Sequence, residues 1–338
     1  RGFSEFYDYM DVLKSPSASV TRSSHISKLL KILNRSTSIL NNKKIESTLR
    51  RIYYSFSNFD IPYIEGTELN KSVTQWIHRN KAKKFFLWMH YMDVHRPYIP
   101  PTPFLDDFST RKEAFYFDVE LDEKITQENI SKVELNKLKR LYNGEVKYVD
   151  QCLGQLQDFL EENKLLEGSL ILLTADHGEA FMEHNELTHS FDRLYNELIH
   201  VPLIINAFSD NAFRTDYVQL LDVAPTILDA LGIEKNRSFL GQSLLSSHHI
   251  PDNTEIIFSE SAKPNLIQLT YDVSKNVISC IYNKWKLIIN NIRNSSELYN
   301  LNNDFKEKNN LLIDEVEIAN NLKTLINKHE IEVNKSNV

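Results

Sequence analysis

A chain of 338 residues with 41% hydrophobic and 25% charged side chains has ordinary globular composition and can bury a large core, so one large domain with a smaller one is the expectation. A formal net charge of −7 gives no electrostatic footprint for nucleic acid, and two cysteines give no disulfide framework. No apolar run approaches the roughly 20 residues that cross a bilayer, so no transmembrane segment is expected in this chain, and no signal peptide is visible in it.

Residues 1–70 mix short polar stretches with Lys28-Leu-Leu-Lys-Ile-Leu33, whose apolar spacing suits a short helix on the surface of a sheet. A helix is predicted over 67–80, where Leu69, Val73, Trp76 and Ile77 share one face, and it feeds a strand over 85–92 on which His90 takes a core role. Pro97, Pro100, Pro101 and Pro103 forbid regular structure, which predicts a rigid loop at the strand's carboxyl end, with loop continuing toward Glu134. From Leu138 onward, Tyr142, Val146, Val149, Leu153, Leu156 and Leu160 recur at four- and three-residue steps, an amphipathic helix packed on the sheet.

Leu170 to Leu173 is too short for a helix core and is bounded by Gly168 and Gly178, so it reads as a fully buried strand of an α/β sheet. Residues 198–206 read as another buried strand in which Pro202 marks an edge or a bulge. Asp222 as a cap, Pro225 in the first turn and Gly232 past the end delimit a short helix. After about residue 252 the pattern changes to clustered short strands at 255–260, 277–282 and 285–290, with Tyr282-Asn-Lys-Trp285 as a hairpin turn, followed by a helix over 314–329.

The chemistry concentrates where the strand at 170–173 ends in Asp176-His177 and opens into a loop with two more histidines, His184 and His189. Ligands of α/β sheets bind just beyond the carboxyl ends of the strands. There, a carboxylate and a neutral imidazole offer hard oxygen and borderline nitrogen to a divalent cation, while Gly178 lets the backbone turn sharply behind them. On these residues alone, a strand end with an Asp-Gly type turn and surface histidines is an equal alternative.

Seven features stand in order along the chain: Phe85-Phe-Leu-Trp-Met-His-Tyr-Met-Asp-Val-His-Arg-Pro-Tyr98, Tyr142-Asn-Gly-Glu-Val-Lys-Tyr-Val-Asp150, Thr174-Ala-Asp-His-Gly-Glu179, Glu183-His184, His189, Leu194-Tyr-Asn-Glu197 and Val201-Pro-Leu-Ile-Ile205. Together they resemble the sulfatase family of the alkaline phosphatase superfamily. Leu221-Asp-Val-Ala-Pro-Thr-Ile-Leu-Asp-Ala-Leu-Gly232, Gly241-Gln-Ser-Leu244, Lys286-Leu-Ile and Glu297-Leu-Tyr-Asn-Leu301 are similar to its C-terminal elements. The resemblance implies an α/β fold with a mostly parallel central sheet flanked by helices, alkaline phosphatase-like, over 1–252 with its N-terminal part missing. A small α+β subdomain with antiparallel strands and a terminal helix follows over 253–334.

The resemblance also implies the roles. Asp176 and His177 fall on two metal-ligand positions, for calcium, manganese or zinc. The His at 177, where many sulfatases place Asn, resembles the phosphonate hydrolase and phosphotransferase branches. His95 falls on the histidine that protonates the departing oxygen, with Asp93 orienting it or capping the turn; without the resemblance it reads as a packed surface residue. His189 falls where a cation binds an oxygen of sulfate or phosphate, and His184 is a substrate-binding candidate. Glu179 and Asp192 read as ordinary solvated carboxylates, with support of the imidazoles as the alternative.

The family's paired N-terminal aspartates and its nucleophile in Cys/Ser-x-Pro-x-Arg have no counterpart here, since neither Cys152 nor Cys280 is followed by the Pro and Arg. Formylglycine is therefore expected only if a preceding segment carries that motif, and the chain by itself is expected to hold half a metal site and to be inactive. The expected function is metal-dependent hydrolysis of sulfate esters on an anionic small molecule or glycan. A phosphodiester or phosphonate hydrolase, or a phospho-group transferase, is the alternative within the superfamily, and a non-catalytic anion- or glycan-binding relative is the alternative outside it. Oligomeric state is not legible. Location is left open, with the cytoplasm slightly favoured and a signal peptide able to lie upstream.

Overall fold

Helix α1 (Gly66–Asn80) forms where the apolar spacing predicts it, burying Val73 and Ile77 together with Gly66 and Asn70. In the computed structural model, residues 63–126, 130–206, 217–235, 239–245, 256–265 and 270–336 are described. The expected helix at 28–33 and the expected domain boundary near 252 lie outside them. The chain divides into two compact units, Arg1–Gly168 and Ser169–Val338.

In the first unit, α2 (Arg111–Thr126) occupies what the sequence presents as loop. Its buried stripe is Ala114, Phe115, Asp118 and Leu121, so a carboxylate takes one of the four inward positions and blurs the apolar period. Asp118 is tolerated there because Arg96 Nε donates to its Oδ1 at 2.9 Å. Helix α3 (Lys132–Glu162) opens with a capping box in which Ser131 Oγ accepts from Glu134 N–H and Glu134 Oε2 accepts from Ser131 N–H. Its buried face is Leu138, Leu141, Gly144, Glu145, Tyr148 and Cys152, not the predicted stripe, and Val146 is exposed. Glu145 on the inner face hides that stripe from an apolar-only reading.

Helix α1 packs on α3 through polar as well as apolar groups. Asn70 Nδ2 donates to Cys152 O at 2.6 Å, and Thr67 N–H donates to the Tyr148 hydroxyl at 3.0 Å. The proline-rich loop is seated on α3, with Tyr98 and Ile99 fully buried. It comes so close that a Cβ on Gly144 would run into the Phe104 carbonyl oxygen and the Pro100 ring. Residues 85–92 do not form the predicted strand, since no ladder partner for them exists among the described residues. Their side chains still alternate, with Phe86, Trp88 and His90 exposed and Leu87, Met89 and Tyr91 half-buried, so His90 is not a core residue.

In the second unit, β1 (Ile171–Thr174) pairs antiparallel with β4 (Leu203–Asn206) in the register Ile171 to Asn206 through Thr174 to Leu203. Between them lie the two-residue strands β2 (Ala180–Phe181) and β3 (Leu187–Thr188) and the helical turn α4 (Asn196–Ile199). Neither β1 nor β4 is fully buried, because each has one neighbour among the described residues, and Ile204 faces outward. All ladders among the described residues are antiparallel, so the expected parallel pairing is not represented in them. The short helix α5 (Val223–Ala230) follows a 3₁₀ turn at Leu220–Asp222 and ends before Gly232, whose φ of 65° needs glycine.

The C-terminal sheet runs in the order β5 (Ile257–Asn265), β6 (Thr270–Tyr282), β7 (Trp285–Asn290) and β8 (Ser295–Asn300). The predicted hairpin closes through Asn283 and Lys284, both at positive φ, as the right-handed twist of a two-residue turn demands. Alternation on β6 sends Ile278 and Cys280 toward α6 (Val316–Ser336), where Ala319, Leu322 and Ile326 meet them. Val277 and Ile281 point to the other face and cover Leu194 and Tyr195. Among the described residues no helix is long and apolar enough to cross a membrane.

The crowding at Gly144 sets a test. Inside a helix Ala is favoured over Gly by about 1 kcal/mol, yet Gly144→Ala is expected to lower the melting temperature by several degrees, because the obstructing atom is backbone. A rise on thermal denaturation would refute the seating of the loop on α3.

Candidate active site

His95 sits in a turn in which its own N–H donates to Met92 O at 2.9 Å. Its Nδ1 lies 2.7 Å from Arg96 O. A carbonyl only accepts, so Nδ1 is the donor in this contact and Nε2 is the nitrogen left to face elsewhere. Asp93 does not orient this ring by a hydrogen bond; it is buried, and its Oδ1 accepts from Gly66 N–H at 2.9 Å, capping the start of α1.

Two more carboxylates organise the loop that follows. Glu145 Oε1 accepts from Ile99 N–H at 2.6 Å, and Glu65 pairs with Arg111 at 2.5 Å while Arg111 Nη2 donates to Ile99 O at 2.9 Å. Burial pushes the Glu145 carboxyl up to about 8 and the Asp93 carboxyl up to about 6. The sequence reading missed Glu145 altogether, and its only signal is a glutamate on the inward stripe of α3.

In the second unit, Thr174 ends β1 and its hydroxyl donates to Pro202 O at 2.9 Å. Asp176 projects outward with its side chain 70% exposed, and its Oδ1 accepts from His177 N–H at 3.0 Å. His177 Nδ1 lies 2.8 Å from Gly178 O, so this nitrogen is the donor and Nε2 presents its lone pair, 3.9 Å from Asp176 Oδ2. This is the tautomer a metal-ligating histidine requires, fixed by a backbone carbonyl. The pair fits a divalent cation as two donors on one edge. Among the described residues no group of three or more His, Cys, Asp or Glu converges on such a point.

His189 joins this pair. Its ring lies 4.2 Å from that of His177, and its Nδ1 is 3.3 Å from Glu179 Oε1. The Glu179 hydrogen bond, with the Asp176 charge, raises the His189 pKa and favours a cation there. Glu179 is not a solvated carboxylate: its side chain is only 6% exposed. Asp192 is buried too, accepting from Arg293 Nε at 2.7 Å.

His184 stands apart from Asp176, His177 and His189. Its Nδ1 meets Glu197 Oε1 at 2.5 Å, its Nε2 donates to Glu307 O at 2.8 Å, and the ring stacks on Tyr195 at 3.6 Å. Burial opposes its charging, but the hydrogen bonds of Glu197 and Glu307 prevail and raise its pKa. With both nitrogens engaged, His184 ties elements together and presents no atom to a substrate. Cys152 and Cys280 are buried, with thiols pushed up by burial to about 11 and about 12, so neither is an activated nucleophile.

The fold has close counterparts among solved structures. The phosphonate monoester hydrolase SpPMH from Silicibacter pomeroyi superposes with a TM-score of 0.61 at 19% identity, over 81% of this chain and 62% of that one. BT4656, solved in complex with its substrate D-glucosamine-2-N,6-O-disulfate, gives 0.53 at 22% identity, over 66% of this chain and 47% of that one. The alkaline phosphatase-like α/β class with a small C-terminal subdomain, expected from the sequence, is thus the fold of this chain.

The chain belongs to the sulfatase family, whose model, Sulfatase, matches residues 2–233. A second, N-sulphoglucosamine sulphohydrolase, C-terminal, matches residues 188–333. Arylsulfatase K of Bos taurus is 27% identical over 195 residues, which are 56% of this chain and 36% of that protein. This chain spans about two fifths of the length of the curated relatives it matches.

The buried carboxylates give a pH test. Their folded pKa values lie above those of the unfolded chain, about 4, so the folded state holds protons that the unfolded state releases. Their contribution to stability is full at low pH and falls as pH rises toward 8. Glu145→Gln keeps an acceptor for Ile99 N–H and removes the titration. Its melting temperature relative to the parent is expected to be higher at pH 8, by a few degrees, than at pH 5. A difference independent of pH would show that Glu145 does not take up a proton on folding.

Proposed function

We propose that this chain forms part of a metal-dependent hydrolase of sulfate esters, with Asp176 and His177 as two ligands of one divalent cation. The observation that carries the reading is the His177 tautomer: Gly178 O holds the Nδ1 proton and turns the Nε2 lone pair out beside the Asp176 carboxylate. Membership of the sulfatase family supports the reaction type. A bound cation would offset the negative charge of the ester oxygens and of an attacking oxygen.

The residues of this chain then divide the work. Asp176 and His177 supply two donors, and the reading takes the nucleophile and the other ligands from outside the described residues. His189, held as a cation by Glu179, offsets charge on the non-bridging oxygens as it grows in the transition state. His95, with Nδ1 anchored on Arg96 O, would act as the imidazolium and deliver its Nε2 proton to the departing oxygen, a step commonly worth about 10² to 10⁴ in rate. The substrate class is an anionic small molecule or glycan, in keeping with the disulfated glucosamine of BT4656.

A second reading, hydrolysis of a phosphodiester or phosphonate, rests on the imidazole at 177. Nitrogen suits manganese or zinc better than calcium, and the fold is shared with a phosphonate monoester hydrolase. Turnover of matched sulfate and phosphonate esters by the full-length protein separates the two.

Two measurements test the roles. In the full-length protein, Asp176→Ala and His177→Ala are each expected to lose bound metal along with activity. Unchanged metal content in both, by elemental analysis, would remove these residues from the site.

His95→Ala is expected to depress kcat/KM far more on an alkyl ester than on a nitrophenyl ester, because only a strongly basic departing oxygen needs a proton. His189→Ala should depress both alike. Equal losses on both esters for His95→Ala would reduce it to another oxygen-binding group.

A further inference from the structure

The loop that carries Asp176 and His177 is tied at two places to one buried ion pair. Lys286 on β7 and Glu307 in the segment after β8 are both fully buried, with Nζ and Oε1 2.6 Å apart. Lys286 Nζ also donates to Asn196 Oδ1 at 3.0 Å, and Glu307 Oε2 accepts from Asn196 N–H at 2.6 Å. Asn196 Nδ2 completes the set on Phe305 O at 2.9 Å. The first residue of α4 is thereby fixed by three hydrogen bonds to the C-terminal part of the unit.

From α4 the constraint reaches the loop. Gly178 N–H donates to Leu198 O at 2.7 Å, and Gly178 lies so close to α4 that a Cβ would run into the Glu197 carbonyl oxygen. Glu197 also holds His184 Nδ1, whose other nitrogen donates to Glu307 O. Gly178, one residue past His177, and His184, farther along the same loop, therefore share a fixed point.

A buried pair is a costly way to gain stability, since well-packed apolar residues of similar volume often do as well. What apolar residues cannot supply is direction, and here the pair holds the side-chain oxygen and the backbone N–H of Asn196. We propose that Lys286 and Glu307 are positioning residues for Asp176 and His177, setting the place of the Gly178 turn through Asn196 and Leu198. This rests on the metal-ligand reading above.

The test uses the full-length protein and the variant Lys286→Met/Glu307→Leu, in which packing replaces charge. Melting temperature reports folding, hydrogen exchange of the Gly178 amide in the metal-free protein reports the turn, and titration with Mn²⁺ reports the donors. The expected result is a folded variant whose Gly178 amide exchanges at least tenfold faster and whose Mn²⁺ affinity falls at least tenfold.

A folded variant with parental exchange and parental affinity would overturn the proposal. Should the double variant not fold, Glu307→Asp, which keeps the charge but draws it back by one methylene, is expected to fold and to weaken Mn²⁺ binding at least threefold; parental exchange and affinity there would overturn the proposal equally. The two readings fail separately. Parental Mn²⁺ affinity in Asp176→Ala would remove the metal role, while Gly178 exchange, measured without metal, still decides whether the pair sets the turn.

Discussion

The arrangement around Asp176 depends on one close approach of backbone to backbone. Gly178 donates to Leu198 O and leaves no space for a side chain against the Glu197 carbonyl. Because the turn is held there, the next constraint can act: Gly178 O is in place to take the His177 Nδ1 proton. A short strand such as β1, with one neighbour among the described residues, has little rigidity of its own to lend its last residues. The α4 turn supplies it instead, and α4 is in turn seated on the C-terminal sheet by Leu194 and Tyr195.

The first unit solves a similar problem with carboxylates. A loop rich in proline has few N–H groups to offer, and the one at Ile99 is buried, so it must find an acceptor inside. Glu145 provides that acceptor from α3, and Arg111 from α2 takes the Ile99 carbonyl. The negative charge of Glu65 adds to the raising of the Asp93 and Glu145 carboxyls, and Arg111 opposes it at both. A proton kept on Glu145 near neutral pH, and on Asp93 in more acidic solution, reduces the charge imbalance at the expense of sensitivity to pH.

Much of this was legible in the sequence, and the failures have physical causes. Helix α1, the β6 to β7 hairpin and the strand over 285–290 were read correctly because local pattern and turn chemistry agree there. Helix α2 and the inner face of α3 were misread because Asp118 and Glu145 occupy inward positions that an apolar pattern assigns to Leu or Val. The segment 85–92 has the alternation of a strand, but a strand also needs a partner, which no local pattern reveals. At the site, the sequence placed Asp176, His177 and His189 in one loop, and the structure brings them together. It could not show that His184 turns away, because its partners Glu197 and Glu307 are 13 and 123 residues distant.

The complete burial of Lys286 gives the molecule an internal reporter. A primary amine shut away from solvent cannot be acylated while its surroundings hold, whereas Lys71, Lys83, Lys84 and Lys323 stand exposed. Any modification at Lys286 therefore records an opening event, and its rate counts how often the segment around Glu307 and Asn196 comes apart. One covalent mark, read by mass, would track the opening of this junction in a mixture or a cell extract, where neither a ligand nor a purified sample is at hand.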